Sequence, residues 1–236
     1  KFNRRCLIMA VEINGGETEK LEILVVENTV KHQVAARKML EKHNIRIADT
    51  FDSAIDYLSG KHKEKYDVLL TDLFYTQGEG RMVSKHVSGE LPFGFPLAFI
   101  SLKEEIPFIG IVTDMNHHQN PLAYTFDFLK KPVRTEKSTL MFFDERDLNS
   151  LFLLKKGGFC RYNEDTCAYP LNEIAYPEDF DTDYIRCEIK DNPCYPDGFG
   201  YQRKKETFAL DDKGDKIFVK NWRAALEKLV KPCKVS

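Results

Sequence analysis

Residues 66–72 read YDVLLTD and lead into the tail LFYTQGEG at residues 73–80. A short apolar run that ends in a carboxylate and breaks into a glycine-containing loop is typical of a buried parallel strand, here carrying Asp72 to the carboxyl edge of a sheet. Open α/β sheets keep their binding sites at that edge. Asp72 is therefore the first candidate site residue, and the alternative is an aspartate that only caps the turn after its strand.

The residues on either side of this stretch alternate between strand and helix patterns. The pattern predicts strands at 21–26, 45–48, 66–72 and 108–113, and helices at 30–43, 52–58, 82–90 and 97–103. Such alternation specifies an α/β fold, a doubly wound parallel sheet with right-handed crossovers. We expect five strands in the flavodoxin-like order 2-1-3-4-5.

Two interpretations remain open after the fourth strand. Asn120 and Pro121 favour a helix over residues 122–129, with Asn as the cap and Pro at the first helical position. The same region could instead form a strand at 124–129, because polar and apolar residues alternate there. On the helical interpretation, the fifth strand is the more apolar run at 139–143.

A change in composition divides the chain. We predict an N-terminal extension at 1–20, an α/β domain at 21–148, an inserted lobe rich in cysteine and aromatic residues at 149–219, and a final helix at 220–231. The final helix is amphipathic, with Trp222, Leu226 and Leu229 on one face, so it should pack on the α/β domain. The lobe shows little periodicity and is expected to be irregular.

Charge and hydropathy limit the classes of function. The net charge is -2 and the pI is about 6.4, which gives no electrostatic reason to expect nucleic-acid binding. No apolar run approaches the eighteen or so residues of a membrane span, and no secretory leader is visible at the start. We therefore expect a cytoplasmic protein without a membrane or nucleic-acid partner.

Four of the six cysteines lie close together in the inserted lobe. Cys160 and Cys167 are separated by six residues, and so are Cys187 and Cys194. Repeated spacing of this kind allows a four-thiolate Zn²⁺ site, which would help a small lobe to fold. The spacing is longer than that of common zinc sites, so the alternative is four free thiols.

Polar side chains follow three of the predicted strands. Glu27 and Asn28 follow the first strand, Asp72 ends the third and Thr113 ends the fourth, so all should meet at one edge of the sheet. Acids beside a hydroxyl suit phosphoryl chemistry assisted by a divalent metal. Asp114, His117 and His118 come next and form either a second metal or acid-base group, or a polar loop that caps a helix.

Four segments of the chain resemble the receiver domains of two-component response regulators. Residues 23–28 (ILVVEN) are similar to the first receiver strand with its acidic pair, and Asp72 followed by Gly80 is similar to the phosphoacceptor loop. Residues 111–113 (IVT) are similar to the strand that carries the switch hydroxyl, and Lys131-Pro132 to the Lys-Pro pair. The resemblance extends from residue 21 to residue 132.

This resemblance implies a signalling function. A histidine kinase would transfer a phosphoryl group to Asp72, with Mg²⁺ held by Glu27, Asn28 and Asp72. Thr113 and Lys131, or alternatively Lys130, would sense the acyl phosphate. Asn28 stands where the family has a second acid, which weakens the implied magnesium site.

Three functions follow from these patterns. The first is a receiver-like signalling protein, not an enzyme, that acts through protein contacts, because no basic helix-turn-helix pattern is present. The second is a degenerate receiver that binds partners without phosphorylation, which the Asn28 substitution favours. The third is a small metal-dependent phosphoesterase that would use Glu27, Asp72, Asp114 and His117.

Overall fold

The computed structural model describes residues 20–60, 63–78, 89–114, 121–148, 151–153, 159–161, 184–188, 199–203, 209–215 and 217–230. Contacts divide the chain into two units, one formed by residues 1–148 and 220–236 and the other by residues 149–219. The predicted N-terminal extension, nearly all of the predicted helix at 82–90 and the cap Asn120 lie outside the described residues.

The first unit contains a six-stranded sheet. Its strands are β1 (Glu22–Val26), β2 (Asn44–Ala48), β3 (Val68–Asp72), β4 (Phe108–Val112), β5 (Val133–Arg134) and β6 (Thr139–Phe143). The spatial order is β2-β1-β3-β4-β6-β5, and every neighbouring pair is parallel except β6 and β5. The α/β class and the order of the parallel strands are confirmed, and the prediction of five strands missed the short antiparallel edge strand β5.

The helices connect the strands in the expected alternation. They are α1 (Val30–Met39), α2 (Phe51–Ser59), α3 (Gly94–Lys103), α4 (Pro121–Thr125), α5 (Glu145–Leu148) and α6 (Trp222–Val230), with a 3₁₀ turn at Phe126–Phe128. The helical interpretation of the region after β4 is correct, because Pro121 begins α4 and the more apolar segment Thr139–Phe143 takes the place in the sheet. No helix in the described part of the chain is long and apolar enough to cross a membrane.

The core lies between the sheet and its helices. All five residues of β3 are buried, as are four of the five in β1, in keeping with their continuous apolar sequences. The buried residues of α6 are Trp222, Ala225, Leu226 and Leu229, which recur at helical spacing. This is the predicted apolar face, and it packs against β4 and β6.

The second unit contains short antiparallel strands. They are β7 (Leu151–Leu153), β8 (Phe159–Arg161), β9 (Tyr184–Glu188), β10 (Phe199–Arg203) and β11 (Phe218–Val219). Strands β11, β7 and β8 form one sheet and β9 and β10 form another. The sequence predicted an irregular lobe, because strands of two to five residues are too short to show a clear alternation.

Gly94 fixes the loop that follows Asp72. It starts α3, and its main-chain N–H donates a hydrogen bond to the carbonyl oxygen of Leu73 at 3.0 Å. A Cβ atom on Gly94 would lie 2.5 Å from the carbonyl oxygen of Asp72 and 2.9 Å from the Cα atom of Leu73. Only glycine allows the helix to approach this main chain so closely.

We expect Gly94→Ala to lower the free energy of unfolding by about 1–3 kcal/mol, since rigid main chain must move to admit the methyl group. Gly110→Ala in β4 is the matched control, because the atom nearest to its added Cβ is the end of the Leu70 side chain, at 2.9 Å. Urea denaturation followed by circular dichroism measures both variants. A smaller loss for Gly94→Ala than for Gly110→Ala would contradict the prediction.

Candidate functional site

Strand register brings two carboxylates to the same edge of the sheet. Val26 of β1 pairs with Thr71 of β3, so the next residue in each chain segment, Glu27 or Asp72, lies beside the other at the carboxyl edge of the sheet. The N–H of Glu27 still donates to Ala48 at 2.9 Å, which extends the ladder by one residue. Glu27 is fully buried and Asp72 is 7% exposed. Two acids this deeply buried require compensating charge or hydrogen bonds.

The compensating charge is the ammonium group of Lys220. Its Nζ lies 2.7 Å from Oε2 of Glu27, 2.8 Å from Oδ1 of Asp72 and 3.8 Å from Oδ1 of Asp114. The side chain of Lys220 is only 2% exposed. We call these four residues the acidic cluster: Glu27, Asp72, Asp114 and Lys220.

The rest of the hydrogen bonds to the two buried acids come from main-chain amides. Oε1 of Glu27 accepts the N–H of Thr29 at 2.9 Å, and Oδ1 of Asp72 accepts the N–H of Leu73 at 2.6 Å. Thr29 is the N-cap of α1, but its side chain makes no capping bond. The carboxylate of Glu27 therefore accepts hydrogen bonds both from the start of α1 and from the ammonium group of Lys220.

Lys220 is held by contacts at the start of α6. Its N–H donates to Nδ1 of His32 at 3.2 Å. Nδ2 of Asn221 donates to the carbonyl oxygen of Leu148 at 3.0 Å, and Nε1 of Trp222 donates to that of His32 at 3.0 Å. Three consecutive residues, 220–222, are thus hydrogen-bonded to His32 of α1 or to Leu148 at the end of α5. These bonds fix the main chain from which the Lys220 side chain extends.

The acidic cluster holds more negative than positive charge. Burial raises the pKa of Asp72 to about 7, and repulsion by Glu27 and Asp114 adds to this effect while Lys220 opposes it. Burial lowers the pKa of Lys220, but attraction to Asp72, Glu27 and Asp114 outweighs burial and raises that pKa above its usual value. Lys220 is consequently charged at neutral pH, and Asp72 is the member that titrates near neutrality.

Asp114 has a second partner in α1. Its Oδ2 lies 3.2 Å from Nε2 of the buried His32. Burial raises the pKa of Asp114, but the hydrogen bond from His32 and the charge of Lys220 outweigh burial and hold that pKa well below its usual range. Asp114 is therefore an ionised member of the cluster, beside an Asp72 that exchanges its proton near pH 7.

A cavity of about 240 Å³ opens above the cluster. Its lining residues are Thr29, Lys31, His32, Asp72, Phe74, Glu90, Thr113, Asp114 and Lys220. Thr113 is 2% exposed, and its N–H continues the sheet by donating to Phe143 at 2.9 Å. The cavity lining thus contains Asp72 and Thr113, which the strand ends predict to lie together, and Lys220, which they do not predict.

The residues at this edge include side-chain oxygens of the kind that Mg²⁺ binds. Oδ1 of Asn28 is buried and has no hydrogen-bond partner among the described residues, while its Nδ2 donates to Glu90 at 2.6 Å. Oδ1 of Asp72 accepts hydrogen bonds from Leu73 and Lys220. Each oxygen of Glu27 accepts one hydrogen bond, from Thr29 or from Lys220, and keeps a second lone pair, so Glu27 could share the ion with Asn28 and Asp72. Mg²⁺ commonly takes one or two carboxylates and completes its shell with water.

The other predicted site residues are placed as follows. The lysine at Asp72 is Lys220, not Lys131 or Lys130, which are exposed and precede the edge strand β5. His117, His118 and Gly80 lie outside the described residues.

The four cysteines of the predicted zinc site are described only in part. Cys160 is on β8 and Cys187 on β9, in different sheets, while Cys167 and Cys194 lie outside the described residues. Within the described residues, no three His, Cys, Asp or Glu side chains form a metal-binding group, and the zinc site stays a prediction.

Sequence reasoning missed two residues of the site, His32 and Lys220. Lys220 could have been found from the fold, because the final helix of a doubly wound sheet starts at the carboxyl edge. Lys220 is the residue between β11 and the Asn221 that precedes α6. His32 carries no comparable signal, since one histidine in the first turns of a helix is common.

No protein-family model matches the sequence, and no curated protein matches it. Among solved structures, the chain is similar to a response regulator receiver domain protein from Clostridium thermocellum, at 13% identity and a TM-score of 0.33 over 53% of this chain and 82% of that one. It is also similar to the N-terminal domain of a response regulator/sensory box/GGDEF 3-domain protein from Carboxydothermus hydrogenoformans, at 21% identity and a TM-score of 0.32 over 52% and 79% of the two chains. A bacteriophytochrome response regulator matches at 18% identity and a TM-score of 0.33, over 54% and 83%. At these values the likeness concerns the fold alone.

We expect Lys220→Met to lower the free energy of unfolding by about 3–5 kcal/mol, because it leaves the fully buried Glu27 without its counter-charge. Lys131→Met, at the exposed lysine, is the matched control and should change the free energy by less than about 0.5 kcal/mol. Urea denaturation at pH 7.5 measures both. Equal losses in the two variants would show that Lys220 does not compensate the buried acids.

The stability difference between Asp72→Asn and the wild type should depend on pH. The raised pKa of Asp72 means that the folded state holds a proton that the unfolded state, with a pKa near 4, has lost. The stability that this proton provides is complete below about pH 4 and disappears as the pH rises through about 7. The variant has no titratable group at position 72, so its free energy of unfolding should rise relative to that of the wild type as pH rises, by up to about 1.4 kcal/mol per pH unit. Urea denaturation between pH 5 and pH 8 measures this, and a difference that stays constant or shrinks with pH would contradict it.

Proposed function

We propose that this chain is a receiver-like signalling module that accepts a phosphoryl group on Asp72, with a histidine kinase as the donor and protein contacts as the output. The observation that carries the proposal is the position of Lys220, whose ammonium group bridges Glu27 and Asp72 beneath the cavity. A lysine at this place neutralises charge on both the free carboxylate and an acyl phosphate. The donor histidine kinase follows from the sequence resemblance.

The arrangement around Asp72 favours attack by one of its oxygens. Oδ1 accepts hydrogen bonds from Leu73 and Lys220, which fixes the plane of the carboxylate. Oδ2 is then the nucleophile: it forms the new O–P bond while the bond from phosphorus to the donor breaks, and the donor leaves with that electron pair. The attack requires the ionised carboxylate, and a pKa of about 7 supplies it in part at neutral pH.

Phosphorylation would change the charge beside Lys220. The acyl phosphate carries more negative charge than the carboxylate and brings further acceptor oxygens into the cavity. We expect Lys220 and Thr113, which both line the cavity, to bind those oxygens. A magnesium ion at Asp72 and Asn28 would supply positive charge to the transferring group. Lys220 lies two residues before the first residue of α6, so a shift of its side chain would act close to the start of that helix.

Acetyl phosphate with Mg²⁺ tests phosphoryl acceptance without a kinase. We expect the wild-type protein to gain one phosphoryl group, and Asp72→Asn to gain none, because the amide lacks the nucleophilic carboxylate. Intact-mass spectrometry measures the added group.

Asp67→Asn is the matched control for this experiment. Asp67 is also an aspartate beside β3, but it lies at the opposite end of the strand, where its Oδ2 accepts the N–H of Glu22 at 2.9 Å. This variant should be phosphorylated like the wild type. Absence of any phosphoryl group on the wild type, beside a receiver domain that reacts under the same conditions, would overturn the proposal.

A degenerate receiver that binds partners without phosphorylation is the second candidate. Asn28 favours it, because a neutral amide stands where the receiver family has an acid, and the nearby Glu27 already binds Thr29 and Lys220. The same mass measurement distinguishes the two candidates. Asn28→Asp would then be expected to restore phosphorylation by adding a charged metal ligand.

A further inference from the structure

The ring of His32 makes two hydrogen bonds within the site. Nδ1 lies 3.2 Å from the main-chain nitrogen of Lys220, and Nε2 lies 3.2 Å from Oδ2 of Asp114. His32 is 2% exposed and belongs to α1, whereas its two partners come from the end of β4 and the start of α6. One side chain therefore joins three elements around the cavity.

The first hydrogen bond determines the protonation state of the ring. A main-chain N–H can only donate, so Nδ1 must accept and cannot carry a proton. The proton of a neutral imidazole then lies on Nε2, where it is donated to the ionised Asp114. The geometry thus requires the neutral Nε2–H tautomer, in which both ring nitrogens are used.

Lys220 depends on this contact because of where it lies in the chain. The preceding residue, Val219, pairs with β7 of the second unit. Lys220 belongs to no strand of the six-stranded sheet, and the bond that its N–H makes is to Nδ1 of His32. The imidazole accepts that N–H instead, and so fixes the point from which the side chain reaches Asp72.

We propose that His32 is a positioning residue: as the neutral Nε2–H tautomer it holds the main chain of Lys220 and the carboxylate of Asp114, and so places the ammonium group on Asp72. Its effect on phosphoryl acceptance rests on the proposed function above. Its effect on the Lys220 main chain does not, and the two effects are measured separately.

Two substitutions separate the two hydrogen bonds of the ring. His32→Asn retains an acceptor near the position of Nδ1, and His32→Gln retains a donor near the position of Nε2. We expect slow hydrogen exchange of the Lys220 amide in the wild type and in His32→Asn, and at least about tenfold faster exchange in His32→Gln. We also expect the rate of phosphorylation by acetyl phosphate to fall about tenfold in His32→Gln and less than about threefold in His32→Asn.

His43→Asn is the matched control, because Nδ1 of His43 also accepts a main-chain N–H, from Leu21 at 3.3 Å, at the opposite edge of the sheet. It should leave both readouts at the site unchanged. Nitrogen NMR of the wild-type ring should show the neutral Nε2–H tautomer. A protonated Nδ1, or equal amide exchange in the Asn and Gln variants, would overturn the proposal. If the wild type accepts no phosphoryl group, the function fails while the exchange and NMR results still decide the role of His32.

Discussion

The ion pair between Lys220 and the two buried acids is the contact on which the site depends. Glu27 is fully buried, so its charge has no water to solvate it. Main-chain amides from Thr29 and Leu73 supply one hydrogen bond to each acid, but only Lys220 supplies a positive charge within 3 Å among the described residues. A buried pair of this kind contributes little net stability, although removal of one partner is costly. Its role is to define a single arrangement of the strand ends.

The fold explains how a lysine so distant in sequence reaches these acids. Parallel register puts Glu27 and Asp72 side by side at the carboxyl edge, and the same register puts Asp72 level with Val112 of β4. Helix α6 packs its apolar face on β4 and β6, and Lys220, two residues before its first residue, lies at the same edge beside Glu27 and Asp72. The packing of α6 and the hydrogen bonds at its start fix Lys220 at this edge.

The sequence predicted those parts of the site that are strand ends. Glu27 and Thr113 follow apolar runs, and Asp72 follows a run interrupted by Thr71; buried parallel strands have such nearly continuous apolar sequences. The resemblance predicts Lys131 as the lysine of the site because a Lys-Pro pair occurs there. That pair precedes an edge strand of two residues, which the sequence pattern does not predict. His32 was not predictable, because its role depends on a contact 188 residues away along the chain.

The charge balance of the cluster connects its structure with its proposed chemistry. Three carboxylates share one ammonium group, and the hydrogen bond from His32 keeps Asp114 ionised. The excess negative charge therefore falls on Asp72, where either a proton or a divalent cation can neutralise it. A proton blocks the nucleophilic oxygen, whereas a cation leaves it ionised and attracts a phosphate donor. Because Asn28 offers an amide in place of an acid, the competition between proton and cation at Asp72 decides whether this geometry accepts a phosphoryl group.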